Sequence, residues 1–306
     1  MADRVTSSLK IFSNLSGIYK NVDNWYDLVL FRARLKNRIE VRFKYGATFT
    51  VNNREDYDRI WTYPEVVIGI NSIEYNKNYV LYNYKNKRLY FYYDNKKQLW
   101  NTLFLLLEMF RKEEYKRLNV DKKTVLDIGA NIGDSSVYFA LKGADHVYAF
   151  EPYPYSYDIA RKNISKNKLG NKITLINAAC GIERQLKIEK KYKNVCGTPL
   201  KTFQSGSKIN VYSLESVVKK YNIKNGILKC DCEGGEYDIF LNASGEVLRH
   251  FEEIMVEYHH GYKNLVKKLE ESGYAVSHSG PNRIDNEELG GQMYIGMIMA
   301  KRIGPP

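Results

Sequence analysis

Two hydrophobic periodicities divide this chain of 306 residues. From about Leu9 to Arg38 apolar side chains recur at helical spacing, with Asp23 and Asn24 as an internal break. The pattern then switches to alternation. IEVRFKYGATFTV, around Tyr45-Gly46, and YVLYNYKNKRLYFYY, around Lys85-Asn86-Lys87, each predict a β-hairpin. Between them NREDYDRIWTYPEVV predicts a helix that gives way to a loop at Pro64, and helical spacing returns from Gln98 to Arg117. Past NVDKK the apolar runs become short strands separated by helices, which places a domain boundary near residue 120. Residues 1–120 then form an α+β extension and 121–306 a second domain, with no internal repeat.

In that second domain strands are expected at Thr124–Ile128, His146–Phe150, Ile173–Asn177, Gly226–Asp231 and Glu253–Tyr258. Helices are expected at Asp134–Lys142, Tyr155–Lys168, Leu214–Tyr221, Glu236–Leu241 and Tyr262–Ser272. Strict alternation implies parallel pairing with right-handed crossovers. The expected fold is α/β, a Rossmann-like, doubly wound, mostly parallel sheet between helix layers. Tyr274–Ser277 and Met293–Ala300 supply its last strands as an antiparallel edge hairpin.

Composition adds limits. An apolar content of 44% is ample for packed cores, and the length fits two domains of about 150 residues each. The longest apolar stretch, LWNTLFLLLEMF, is about half of the roughly 20 residues a membrane span needs, and Glu108 interrupts it, so a buried helix is expected there. MADRVTSSLKIFSNL has no continuous apolar block of a secretory signal, which puts the chain in the cytoplasm. Cys180, Cys196, Cys230 and Cys232 fit neither a disulfide framework nor paired zinc knuckles, so reduced, buried thiols are expected. The net charge of +12 is dispersed as Lys among Asn, Ile and Tyr. That reads first as a solvated lysine surface and second as a nucleic-acid footprint.

The candidate chemistry begins at VLDIGANIGDSSVYFA. Its glycines, Gly129 and Gly133, do not make the G-x-G-x-x-G spacing of a dinucleotide loop. Asn131 and Asp134 put a side chain and a negative charge where a pyrophosphate needs bare N–H groups. S-adenosylmethionine has no phosphate but carries an ammonium and a sulfonium, which Asp127 and Asp134 attract. Glu151, at the end of the second strand, stands where an acid takes ribose hydroxyls in this topology, and Asn177 and Ala178 meet the adenine. The plainer readings are a helix cap for Asp134 and a surface acid for Glu151.

The fourth strand ends in LKCDCEGGEYDIF, bringing Asp231, Glu233 and Glu236 together at the carboxyl end of a central strand. Acids this close require protons, donors or a cation. Glu233 and Glu236 read equally as helix-starting acids. The fifth strand ends in EYHHGY, where Glu257 and His259 share one side of an extended segment. Imidazole suits removal of a hydroxyl proton, and a neighbouring carboxylate orients it; one of two adjacent histidines is usually structural, and His259 is favoured over His260 as the base or substrate contact. An oxygen ligand set from Asp231, Glu233 and Glu257 would suit Mg²⁺.

These stretches, with VYAFEPYPYSYDIARKNISKN, ITLINAACG and IMVEYHHGYKNLVKKLEESGY, resemble the FkbM-type S-adenosylmethionine-dependent methyltransferases over most of Val125–Tyr274. IEVRFKYGATFTVNNREDYDRIW resembles, less specifically, the segment that precedes their core. The resemblance implies a class I methyltransferase sheet, with Gly129, Asn131, Gly133, Asp134 and Glu151 on the cofactor, Asp231 near the transferred methyl, and Glu257 and His259 as an acid-x-His pair. Cys230, Cys232 and Gly235 depart from the residues usual in that family. It also implies O-methylation of a sugar, glycan or related hydroxyl-bearing small molecule, with Asp231, Glu257 and His259 as the catalytic group. The rival is an RNA methyltransferase that stacks bases on the tyrosines of LYNYKNKRLYFYY. No Asn/Asp-Pro-Pro-Tyr motif for amino-group methylation and no Pro-Cys nucleophile follows the fourth strand. A cofactor-binding protein without catalysis is a further reading, as is a homo-oligomer formed through the Tyr-rich hairpins.

Overall fold

The computed structural model describes residues 18–20, 22–42, 44, 48–54, 57, 73–75, 78–189, 204–286 and 291–304. The chain divides into two compact units, Met1–Phe91 with Leu103–Lys112, and Tyr92–Thr102 with Glu113–Pro306. The sequence places its boundary later, near residue 120; the helix expected from Gln98 is shared between the units.

In the first unit helix α1 (Trp25–Arg32) begins at the expected break. Asn24 fixes it there: its amide donates to Asp27 and to the Glu40 carbonyl, and its oxygen accepts from the Arg42 N–H at 2.7 Å. Strand β1 (Ile39–Arg42) pairs antiparallel with β2 (Thr48–Val51), Arg42 opposite Thr48. The turn at Tyr45-Gly46 and nearly all of the helix expected over NREDYDRIWTYPEVV lie outside the described residues. A second sheet, β3 (Ile73–Tyr75), β4 (Tyr79–Tyr84) and β5 (Lys87–Tyr92), contains the other expected hairpin, turning through Lys85 at φ 52°. Tyr82, Tyr84 and Phe91 are buried against Phe110, with ring centroids 5.6, 5.1 and 5.8 Å away. Three of the aromatics that alternation left open to base stacking are therefore core, and Tyr90, Tyr92 and Tyr93 are half-buried. Helix α2 (Lys96–Leu106) widens into a π turn, Leu107–Arg111, where the Lys112 N–H bonds the Leu107 carbonyl. Glu113 at φ 48° then ends the helix, short of the expected Arg117.

The second unit follows the expected alternation closely. Its elements are β6 (Thr124–Ile128), α3 (Asp134–Leu141), β7 (His146–Phe150), α4 (Pro154–Lys166), β8 (Ile173–Ile176) and the short β9 (Ala179–Cys180). Then come β10 (Arg184–Ile188), β11 (Ser207–Tyr212), α5 (Leu214–Tyr221), β12 (Gly226–Cys230), α6 (Glu236–Asn242) and α7 (Gly245–Leu248). The chain closes with β13 (Phe251–Tyr258), α8 (Lys263–Glu271), β14 (Tyr274–His278), β15 (Asn282–Asn286) and β16 (Gly291–Arg302). The main sheet has the order β14-β16-β13-β12-β6-β7-β8, parallel from β13 to β8, with β16 antiparallel to both its neighbours. This is a Rossmann-like doubly wound sheet. The late strands are antiparallel as expected, but β16 inserts between β13 and β14, and β15 extends its free end as a ribbon. The small sheet β10-β11-β9 has no counterpart in the sequence reading.

The strand period fixes which residues reach the functional side. Leu126, Ile128, Leu228, Cys230, Ile254, Val256 and Tyr258 share one face and pack in one cluster with Leu214, Val217, Phe240, Leu265 and Leu269. Each such side chain contributes on the order of 1.5–3 kcal/mol when fully buried. Alternation therefore sends Asp127, Lys229 and Glu257 to the opposite face, where α3 packs on β6 and β7. Strand order reverses between β6 and β12, which opens the ligand crevice of this topology at their carboxyl ends. Among the described residues no helix is long and apolar enough to cross a membrane.

Candidate active site

The turn after β6 takes three left-handed residues in alternation, Gly129 at φ 79°, Asn131 at 47° and Gly133 at 81°. Asn tolerates this conformation better than other side chains, and Gly129 is required for a second reason. A Cβ there would overlap the carbonyl oxygen of Asp231, so the turn lies directly on the end of β12. The Gly129 and Ala130 N–H groups bond the Phe150 carbonyl at 3.0 Å, and Asn163 supports the turn from α4 by donating to the Ile132 carbonyl at 2.8 Å.

Asp127 lies beneath this turn, fully buried. Its Oδ2 accepts from the Ser135 and Ser136 hydroxyls at 2.7 and 2.5 Å, and its Oδ1 is 3.1 Å from Lys229 Nζ. It thus acts on a cationic ligand through its field, with its oxygens already engaged. Lys229, absent from the sequence reading, stands opposite Asp127 in the β12–β6 register and also donates to the Gly129 carbonyl at 2.8 Å. Burial pulls its ammonium toward neutrality, but Asp127 and Asp231 more than reverse this and hold it charged. Its ammonium lies 5.7 Å from the ring of buried Tyr115, a second residue that sequence reasoning missed.

Glu151 ends β7 and is buried, its two oxygens accepting from the Asn131 and Tyr153 N–H groups at 2.9 and 2.8 Å. Burial outweighs these donors and pushes its carboxyl up to about 8. Asp134, the first residue of α3, is raised to about 7, again by burial. A buried carboxyl at that helix start is the wrong group to face a pyrophosphate, and the cradle fits a nucleoside cofactor without phosphate. Asn177 donates to the Glu151 and Pro152 carbonyls at 2.8 and 3.1 Å, tying the end of β8 to the end of β7, with buried Ala178 beside it.

Across the crevice Asp231 continues β12, and Glu233 at φ 56° and Gly234 at φ 102° turn the chain into α6. His259, just past β13, is 2% exposed. Its Nδ1 is 3.1 Å from Glu236 Oε1, and its Nε2 is 3.1 Å from Glu233 Oε2 and 4.0 Å from Asp231 Oδ1. The carboxylate that orients His259 is therefore Glu236 and not its strand neighbour Glu257. Glu236 is itself fully buried and held by the Cys232 and Gly234 N–H groups at 3.0 and 3.2 Å. The sequence reading, which saw Glu236 also as a helix-starting acid, gave it no part in orienting His259.

The near-neutral imidazole expected from the sequence also gives way. Burial would lower its pKa, but the bonds to Glu233 and Glu236 prevail and push it up to about 11, while the bond to His259 keeps Glu236 low against its own burial. Burial raises Asp231 to about 6 and sends Glu257 well up. Asp231, Glu257 and His259 each present a ligand-type atom, all within 4.8 Å of one another. Exposed His260 lies outside this group, its N–H bonded to the Tyr237 hydroxyl. The Cys230 and Cys232 sulfurs approach to 3.6 Å as thiols, both pushed up, Cys230 chiefly by burial and Cys232 first by Cys230.

The methyltransferase FkbM domain matches residues 127–276. Ribosomal protein L11 methyltransferase of Carboxydothermus hydrogenoformans is 43% identical over 54 residues; the match spans 18% of this chain and only 18% of the length of that curated relative. Among solved structures, M. capricolum TrmK in complex with S-adenosyl-homocysteine is similar with a TM-score of 0.41 and 16% identity, over 63% of this chain and 68% of that one. M. jannaschii TYW2 in complex with AdoMet has a TM-score of 0.41 and 13% identity, over 75% of this chain and 89% of that one. Residues 127–276 are thus an S-adenosylmethionine-dependent methyltransferase domain of the FkbM family.

Proposed function

We propose that the protein transfers a methyl group from S-adenosylmethionine to a hydroxyl of a sugar, glycan or related small metabolite. The observation that carries this is the convergence of Asp231, Glu257 and His259 at the ends of two strands, beside the Gly129–Gly133 turn. In this reading Glu151 takes the ribose hydroxyls, Asn177 and Ala178 border the adenine, and Asn131, Asp134 and Asp231 face the cationic end. When bound, the cofactor supplies a methyl carbon on a sulfonium that leaves with the bond pair as a neutral thioether. The protein holds the acceptor oxygen in line at about 3 Å and gives its proton a destination at Asp231, which at about 6 is the one of the three that is deprotonated at neutral pH, with Glu257 and His259 beside it. A small polyhydroxyl acceptor is favoured over RNA because Tyr82, Tyr84 and Phe91 of the candidate stacking hairpin are core residues, which leaves only the half-buried Tyr90, Tyr92 and Tyr93 to stack.

The test supplies methyl-labelled cofactor with nucleotide sugars, free glycans and total RNA. Label is expected in an alkali-stable carbohydrate fraction, and Asp231→Ala should lose about 10²–10⁴-fold in turnover at saturating cofactor, well beyond its loss in S-adenosylhomocysteine affinity. Label entering RNA alone would replace this reading.

Glu151 makes binding pH-dependent. Its carboxyl holds a proton up to about pH 8, whereas ribose hydroxyls donate to the ionised form. Binding below pH 8 must therefore release a proton, so affinity should rise with pH, at most about tenfold per unit, and level off above 8. Calorimetry of S-adenosylhomocysteine in buffers of different ionisation enthalpy between pH 6.5 and 8.5 reads the proton directly. Glu151→Gln should abolish the slope between pH 7 and 8, above the Asp134 value of about 7, and a slope that persists there in that variant assigns it to another group.

A further inference from the structure

We infer that Asp231, Glu257 and His259 bind a hard divalent cation of the Mg²⁺ or Mn²⁺ type, through two carboxylate oxygens and His259 Nε2. Their ligand atoms lie within 4.8 Å of one another, and an ion at about 2.1–2.3 Å would draw them inward, to roughly 4.2–4.6 Å for opposite and 3.0–3.3 Å for adjacent ligands.

Two further observations point to an ion. Asp231 Oδ1 is closed off from solvent and receives no hydrogen bond, and half-buried Glu257 presents a carboxylate oxygen beside it. Carboxylates in such surroundings need a donor or a cation. Asp127 Oδ1 and Glu236 Oε2 likewise receive no hydrogen bond, but Asp127 Oδ1 has the Lys229 ammonium at 3.1 Å, whereas the cationic group facing Asp231 Oδ1 is His259 Nε2 at 4.0 Å. The second observation is the support behind His259. Metal-binding imidazoles characteristically give their other ring nitrogen to a carboxylate, which fixes the ring's orientation. Glu236 does this at Nδ1, and it is fully buried and held by two backbone N–H groups, so Nε2 faces the cluster, 3.1 Å from Glu233 and 4.0 Å from Asp231, and a bound ion would take the place of its proton. One imidazole with two carboxylates suits an oxygen-preferring ion, and the adjacent Cys230 and Cys232 thiols bond each other and stay outside.

The assignment alters the oxygen-only set read from the sequence: His259 enters, and Glu233, now paired with Nε2, moves to the rim. The cation's role rests on the proposed O-methylation. An ion with open positions selects acceptors that offer a second oxygen beside the reacting hydroxyl, such as a vicinal diol, a hydroxy ketone or a hydroxy acid, and lowers the hydroxyl's pKa by direct contact.

The test titrates the chelator-treated full chain with Mn²⁺, followed by the loss of the free-ion EPR signal, with and without S-adenosylhomocysteine. One saturable Mn²⁺ per chain, displaced by Mg²⁺, is expected, with ¹⁴N hyperfine coupling from the imidazole in the bound spectrum. Glu257→Gln and Asp231→Asn should each weaken it at least tenfold, and Glu233→Gln less than threefold, with folding checked by circular dichroism. No saturable binding, no ¹⁴N coupling, or affinity unchanged in both carboxylate variants overturns the site. S-adenosylhomocysteine binding without Mn²⁺ binding sinks the cation site alone. A variant-sensitive Mn²⁺ site in a chain that binds no S-adenosylhomocysteine supports the site and sinks the methyltransferase activity.

Discussion

Lys229→Met should lower stability by about 3–5 kcal/mol, the cost of leaving one partner of a buried ion pair behind. Methionine nearly preserves the volume of the lysine stem, so the loss reports charge and not a cavity. Lys229 is 2% exposed and Asp127 is fully buried, and the two stand opposite each other on adjacent central strands. Without the ammonium, Asp127 keeps only the two serine hydroxyls, and the Gly129 carbonyl loses its 2.8 Å donor. The turn that cradles the cofactor then loses its base, and S-adenosylhomocysteine binding should fall with stability. Asp127→Asn in the same chain should recover most of the loss, because replacing both members of a buried pair is often close to neutral. The measurement is a double-mutant cycle by urea unfolding. A coupling of about 2 kcal/mol or more is expected between the two sites; additivity within about 0.5 kcal/mol would mean that Lys229 acts independently of Asp127.

That pair also marks where the sequence stops being legible. The strands and helices of the second unit could be read because each is a local pattern, and Thr124–Ile128, His146–Phe150 and Leu214–Tyr221 match residue for residue. Asp231 and Glu257 could be placed near a ligand because strand ends in this topology face one crevice. Lys229 was passed over because its partner lies about 100 residues away, and only the strand register brings them together. Its signal was present nonetheless: a lysine inside the apolar run GILKC of a central strand has to be paired. Glu236 was obscured differently. Acids are common in a first helical turn, and only the left-handed turn at Glu233-Gly234 folds its carboxylate back onto His259. In the hairpins, alternation was readable, but which face is buried depended on Phe110 in the π turn.

Gly129→Ala should abolish cofactor binding, whereas Gly133→Ala should only weaken it, although both glycines are left-handed at nearly the same φ. An L residue in that conformation costs roughly 1–2 kcal/mol at either position, so backbone strain does not distinguish them. What a new methyl meets does. At Gly133 the nearest atom is the Ala160 Cβ at 3.3 Å, a side-chain methyl on a helix that can yield by a few tenths of an ångström. At Gly129 it is the Asp231 carbonyl group itself, on main chain held by the bond from the Asp231 N–H to the Ile128 carbonyl at 3.1 Å. Relief there requires the turn and the end of β12 to part, which moves Asp231 away from Glu257 and His259 as it opens the cradle. Gly129→Ala should therefore raise the S-adenosylhomocysteine dissociation constant by at least about 100-fold, or about 2.7 kcal/mol, and Gly133→Ala by about tenfold. Calorimetry on the two purified variants, with thermal unfolding as the check on folding, separates them. Equal losses would assign the effect to the shared left-handed strain; unequal losses in this order assign it to the contact between cofactor turn and catalytic strand, one close approach that sets both the cradle and the position of Asp231.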